Sequence, residues 1–319
     1  MTKLTFRGFR RKQGRAGVRN DLWVIPATAC LNGTLRSLLA SYHKQYWIDA
    51  VRLLEHNGGC SRLAGGGNLW AVERALSSLA LHPNAAGVLV VGLECEDFPL
   101  QSLMERVEMA GAGSVVHTLT LGKNGIIDEI PAQLDRLGAN APRTREVFPF
   151  SHLCAGLVRR CLRCERDEAH SDLLEGFSGW LTTARGTVLL AGGSEREDAT
   201  LEYGMCVEGT GRREIVTSPE SLPGALTSLA VSGAQILICD SDIPASFAAP
   251  VPTIRLRLNS NAENPCLDWI DFNPAAESGK RLADLFLAVA EGERTVCEVG
   301  ERRDICDLTI DAGGFWRYG

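Results

Sequence analysis

The chain has 319 residues, 45% of them hydrophobic and 23% charged, with a formal net charge of -6. That length predicts about two domains, the composition is ordinary for a globular protein, and the negative balance argues against nucleic-acid binding. No apolar run reaches the length needed to span a bilayer, and the start Met-Thr-Lys-Leu-Thr-Phe-Arg lacks the apolar core of a signal peptide, so a cytoplasmic protein without a membrane partner is expected.

The first feature along the chain is the run Gly8-Phe9-Arg10-Arg11-Lys12-Gln13-Gly14-Arg15-Ala16-Gly17-Val18-Arg19-Asn20. Glycine lets backbone approach a ligand closely, and Arg grips carboxylate or phosphate through parallel hydrogen bonds. Taken alone, the run reads equally well as a solvated basic arm. It feeds an apolar segment, Leu22–Ala27, that predicts a strand with Cys30 just past its carboxyl end. Further strands are predicted over Gly87–Leu93, Ser114–Thr120, Thr187–Leu190, Gln235–Cys239 and Thr253–Leu258. Each is nearly all apolar, as parallel strands covered on both faces are. Helices are predicted over Thr34–Tyr46, Asn68–Leu81, Leu100–Ala110, Ile126–Leu137, Ser218–Ser232 and Ala276–Gly292. The alternation implies an α/β protein with two Rossmann-like parallel-sheet units. The polar stretch Gly138–Arg145 predicts the division: residues 1–140 form an N-terminal α/β domain and residues 146–319 a second one. The tail from Thr295 reads as a short strand or loop.

The eleven cysteines are odd in number and spread over a long chain. In a reducing compartment they are thiols, metal ligands or small buried apolar residues rather than a disulfide framework. His56-Asn57-Gly58-Gly59-Cys60 is the sharpest local motif: two glycines allow a turn that aims imidazole and thiolate at one centre, a donor set suited to Zn or Fe. The bland reading is a glycine turn with an incidental His. Glu94-Cys95-Glu96-Asp97 follows the second strand and sets a thiol and carboxylates at its carboxyl end, unless the acids serve only a helix N-terminus. Three N-terminal elements thus deliver a cysteine, Cys30, Cys60 and Cys95, to one expected rim, where open α/β sheets bind ligands. His82-Pro83-Asn84 reads first as a turn device. Cys161-Leu-Arg-Cys164 has no second pair to complete a zinc cage, and Asp240, Asp242, Asp268 and Asp271 read as loop or cap residues. Gly65-Gly66-Gly67 lacks the Lys-Ser/Thr of a phosphate loop, and neither a dinucleotide fingerprint nor a nucleophile elbow is present, so no nucleotide cofactor is expected.

In this order the motifs at 8–20, Cys30, 56–60, 82–84 and 92–96 resemble the family of D-galactarate and altronate dehydratases, which includes the large subunit of a sulfolactate sulfo-lyase. Residues 252–275 and 288–300 resemble its closing region. The resemblance implies metal-assisted β-elimination on a sugar acid, most often with Fe2+ and otherwise Mn2+. It implies that Arg15, Arg19 and Asn20 bind the substrate carboxylate or support the site. His56, Cys60 and Glu96 would be catalytic, and Cys30, His56, Cys60, Cys95 and Cys154 would hold or line the metal. Cys154 enters because it and Gly156 align with a signature of the second half that is otherwise not intact here. Family members carry a small SAF-type domain, fused or as a separate subunit, and this chain starts where that domain would end. A SAF-type partner or a homo-oligomer is therefore expected. The alternative is a non-catalytic or regulatory relative that keeps the anion pocket, or a sulfo-lyase.

Overall fold

The computed structural model describes residues 4–12, 14–56, 69–94, 100–122, 127–158, 168–191, 200–201, 207, 210–216, 221–240, 247–257, 270–274, 276–299 and 303–306. In the first stretch come β1 (Thr5–Gly8), β2 (Asp21–Pro26), α1 (Asn32–Leu39), β3 (Val51–Leu53), β4 (Glu55–His56), α2 (Leu69–Ala80), β5 (Ala85–Leu93), α3 (Leu100–Met109), β6 (Val116–Leu121) and α4 (Glu129–Asn140). The second stretch contains β7 (Glu146–Pro149), β8 (Cys154–Leu157), α5 (Glu168–Thr183), β9 (Thr187–Ala191), β10 (Arg213–Val216), α6 (Leu222–Val231), β11 (Ile236–Asp240), β12 (Phe247–Ala248), β13 (Thr253–Leu256), α7 (Gly279–Ala290), α8 (Val296–Val299) and β14 (Arg303–Cys306).

Two parallel sheets organise these elements. The first has the order β3-β2-β5-β6, the second β10-β9-β8-β11-β13. Both orders reverse direction once, between β2 and β5 and between β8 and β11, as in doubly wound α/β folds. Side chains alternate along β2: Leu22 and Val24 pack with Leu35, Ile130, Leu134 and Leu137 on one face, while Trp23 and Ile25 face Ala75, Leu76 and Leu79. The helix α6 is buried nearly all round, because it packs on β8 and β9 and also against α2. Ser221 caps it, accepting the Gly224 amide at 3.0 Å, and Pro223 sits in its first turn. The other face of the second sheet carries Phe177 and Leu181 of α5 and Leu282 and Phe286 of α7.

Two small sheets pair strands from the two stretches: β1 lies antiparallel to β7, and β4 joins β14 and β12 in a parallel trio. These short strands carry too few apolar residues to be seen in hydrophobic patterning. The helix expected over Thr34–Tyr46 is α1 alone. Beyond it, Tyr42 and Gln45 hydrogen-bond to Asp135 and Trp47 donates to the Gly138 carbonyl, drawing that segment onto α4 instead of prolonging α1. The helix expected over Ile126–Leu137 starts later, with Pro131 in its first turn, and runs through Gly138 to Asn140. The expected polar linker is correspondingly shorter.

Candidate active site at the carboxyl edge of the first sheet

Of the described motif residues, Cys30 and His56 stand at the carboxyl end of β2. The chain leaves β2 through Ala27 and Thr28 into a 3-10 turn, Ala29–Leu31, which presents Cys30 to solvent before α1 begins. His56 ends β4 beside it, buried, with Nε2 2.6 Å from the Pro26 carbonyl oxygen. A carbonyl only accepts, so Nε2 carries the proton and Nδ1 the lone pair in the neutral ring. The helix α1 is tied to β4 twice. Asn32 donates to the His56 carbonyl at 2.8 Å, and Arg36 forms a two-pronged pair with Glu55 at 2.5 and 2.7 Å. At this edge Thr28 Oγ1 and Asn32 Oδ1 are buried polar atoms without a hydrogen-bond partner among the described residues. Motif reading missed Thr28, Asn32, Arg36 and Glu55; the signal available was only their nearness in sequence to Cys30 and His56. The backbone of Cys306 stands opposite His56 in the β4–β14 register, a neighbour no local motif announces. Cys60, Cys95 and Glu96 lie outside the described residues, as do Cys161, Cys164, Asp242 and Asp268.

Arg15, Arg19 and Asn20 are not at this edge. They precede β2, and the residues before a parallel strand sit at the sheet's amino end, the length of six-residue β2 (about 20 Å) from its carboxyl end. Arg19 commits all five of its N–H groups: Nε and Nη2 clasp the Glu298 carboxylate at 2.7 and 2.8 Å, and the rest reach the carbonyls of Val18, Val289 and Glu293. Asn20 is fully buried, donating to the Trp47 and Pro142 carbonyls and accepting from Arg11. Arg15 donates to Thr187 Oγ1 at the start of β9. The expected substrate grip is thus a bolt between the units. The loop closes on itself through the Phe9–Gly17 bridge, and Arg11 is buried against the carbonyls of Pro83 and Arg19. A side chain at Gly17 would overlap the Pro83 carbonyl oxygen. The turn at 82–84 is part of the same bolt: His82 donates to the Ala234 carbonyl, accepts the Asn84 amide and stacks on Trp23, while Asn84 donates to the Gln235 carbonyl. Cys154 likewise begins β8, at the amino end, buried among apolar side chains. Asp271 accepts the amides of Arg255 and Val296, the cap-like part expected of it.

Residues 8–143 match the family model described as D-galactarate dehydratase/altronate hydrolase, second domain. This stretch belongs to that family. The chain is 26% identical to an altronate dehydratase of Bacillus subtilis (strain 168), over 84% of the chain and 68% of the relative. It is 37% identical to an altronate dehydratase of Escherichia coli (strain K12) over 30% of the chain and 20% of the relative. A (2R)-sulfolactate sulfo-lyase subunit beta of Chromohalobacter salexigens is 33% identical over 28% of the chain and 21% of its own length. Among the described residues, no helix is long and apolar enough to cross a membrane.

The dehydratase resemblance implies a divalent metal, and the described residues test only part of its donor set. Among them, no three His, Cys, Asp or Glu side chains gather to hold an ion; the remaining donors of the motif lie in segments not described. His56 itself fits. Burial pushes its pKa down to about 4, against the opposing pull of the Pro26 hydrogen bond, so the ring is neutral as a ligand must be. Its other nitrogen is anchored on a backbone carbonyl, the usual support of a metal-bound imidazole. The same low pKa makes His56 a weak general base at neutral pH.

Proposed function

We propose that the chain is a carbon–oxygen lyase, a hydro-lyase that removes water from a sugar acid, with its site at the carboxyl edge of the first sheet. The observation that carries the reading is that Asn32, two residues beyond Cys30, donates to the His56 carbonyl at the carboxyl end of β2, within the stretch that matches the dehydratase family and beside Thr28 Oγ1 and Asn32 Oδ1, buried and without a hydrogen-bond partner among the described residues. In the elimination, the carbon bearing the carboxylate loses its proton and hydroxide leaves the neighbouring carbon, departing as water once protonated. The electron pair becomes a double bond, and the resulting enol tautomerises to an α-keto acid. The difficulty is the second negative charge that develops on the carboxylate. A divalent ion, Fe2+ or Mn2+, held with His56 and the motif cysteines Cys60 and Cys95, would supply the Lewis acid for it.

The chain's own groups have separable parts. Thr28 Oγ1 and Asn32 Oδ1 bind substrate hydroxyls that complete their hydrogen bonding. His56 stays neutral, and its Nδ1 lone pair is the one that would meet the ion. The Arg36–Glu55 pair and the Asn32–His56 bond hold the turn carrying Cys30 against β4. Glu96 is the carboxylate proposed to move the proton.

The test is turnover of altronate, galactarate and sulfolactate by protein purified without oxygen and supplied with Fe2+ or Mn2+, alone and with a small SAF-type protein. Keto-acid formation from a sugar acid, lost in Thr28→Val and His56→Gln, supports the proposal. Sulfite release from sulfolactate alone would reassign the chain to carbon–sulfur cleavage. Binding of sugar acids without turnover under every condition would make it a binding protein.

A further inference from the structure

The amino edge of the first sheet holds a cleft that the proposed elimination does not use. Its volume is about 340 Å3, at the small end of the range of small-molecule sites. It opens between the residues before β3 and the segment joining α7 to α8. Asp21 forms its floor, Arg52 and Glu298 flank it, and Lys44 and Arg294 stand exposed. Asp21 is 1% exposed; its Oδ2 accepts from Arg52 Nε at 2.6 Å, while its buried Oδ1 has no hydrogen-bond partner among the described residues. The other acids are occupied: Glu298 takes Arg19, and Asp49 accepts the Asn20 amide. The cleft therefore pairs one unfilled carboxyl oxygen at its base with the cations Lys44 and Arg294, for which no carboxylate partner is found among the described residues.

We infer that this cleft is a second ligand site, separate from the candidate active site, for a small hydroxylated carboxylate whose hydroxyl meets Asp21 Oδ1 and whose carboxylate lies between Lys44 and Arg294. A plain anion would face Asp21 and Asp49 unfavourably, and a neutral polyol would leave the cations unused. Burial raises the Asp21 pKa, and a hydroxyl suits it in either state, donating to the carboxylate or accepting from the acid, whereas an ammonium suits only the carboxylate. The site lies at the opposite end of β2 from Cys30. It bridges the first sheet to the segment 292–298, so an occupant clamps the closing part of the chain onto the N-terminal unit.

The experiment is calorimetric titration of the intact protein with gluconate, with sorbitol and acetate as single-function controls, joined to hydrogen exchange in the presence of gluconate. Expected are gluconate binding that neither control reproduces, and amide protection at 44–52 and 292–298. Lys44→Ala/Arg294→Ala, at two exposed positions where among the described residues the Lys44 bond to the Ile48 carbonyl is lost, lowers that affinity about tenfold or more, the loss expected for charge-assisted bonds, while circular dichroism checks that the fold is kept. Protection confined to 28–36 and 54–56 would place the ligand in the candidate active site and overturn the inference. So would binding unchanged in the double variant, or an equal response to sorbitol or acetate. Loss of lyase activity has no bearing on these readouts, so the two proposals fail separately.

Discussion

Replacing Arg19 separates a scaffold from a substrate-binding residue. In Arg19→Met the aliphatic bulk remains, but Glu298 loses both charge-assisted bonds and the carbonyls of Val289 and Glu293 lose their donors. The side chains of the pair are only 3% and 7% exposed, and breaking such a buried pair costs about 3–5 kcal/mol. Glu298 keeps the Thr295 amide at 3.0 Å and Arg52 Nη2 at 3.4 Å, so the low end, about 3 kcal/mol, is expected. Urea unfolding of wild type, Arg19→Met, Glu298→Gln and the double variant measures it. The double variant should be less destabilised than the summed singles by about 1–3 kcal/mol. Burial pushes the Glu298 pKa up, but the hydrogen bonds and charge of Arg19, with Arg52 and Thr295, hold it below its ordinary value. A carboxyl depressed in the folded state contributes stability above its unfolded pKa and loses it as pH falls through the folded one. The coupling should therefore fade below the ordinary glutamate range. An unchanged urea midpoint with a raised KM in Arg19→Met would refute the reasoning and return Arg19 to the substrate.

Three further outcomes are expected. Gly17→Ala should cost about 1–3 kcal/mol in denaturant unfolding, as overpacking against rigid backbone does. Gly14→Ala, in open space but at φ +115°, should show only backbone strain. Burial raises the Asp271 pKa to about 6, so its contribution to stability is greatest in acid and is lost as pH rises from about 4 to 6. Up to about 3 kcal/mol of that pH dependence should vanish in Asp271→Asn. Cys30 is exposed whereas Cys154, Cys239 and Cys297 are buried, so a thiol reagent should modify Cys30 faster than those three by about tenfold or more. A bound sugar acid should slow that reaction.

In the parallel sheets β2, β5, β6, β9, β11 and β13 were legible as apolar runs, whereas β3, β8 and β10 were not, being three or four residues long and, in β3 and β10, partly exposed. Short pairings such as β4 with β14 were not legible either, since two to four residues leave no period and their partners stand far apart in sequence. Cys30 was correctly set past the carboxyl end of β2. The Arg-rich loop was misassigned for a reason already present in the sequence. A loop that feeds a strand lies at the end opposite the residues that leave it, so Arg19 and Cys30 cannot flank one small centre. What no sequence pattern discloses is that the guanidinium of Arg19 is spent on Glu298, 279 residues away. Composition marks Arg as a carboxylate binder without saying whose carboxylate it binds.

The most direct measurement is keto-acid formation from altronate and galactarate by oxygen-free, metal-supplied protein, compared across wild type, Thr28→Val, His56→Gln and Arg19→Met. Turnover in the wild type, lost in the two carboxyl-edge variants and retained by folded Arg19→Met, is the predicted result. Turnover that survives Thr28→Val and His56→Gln but disappears in a stably folded Arg19→Met would contradict the placement of the site.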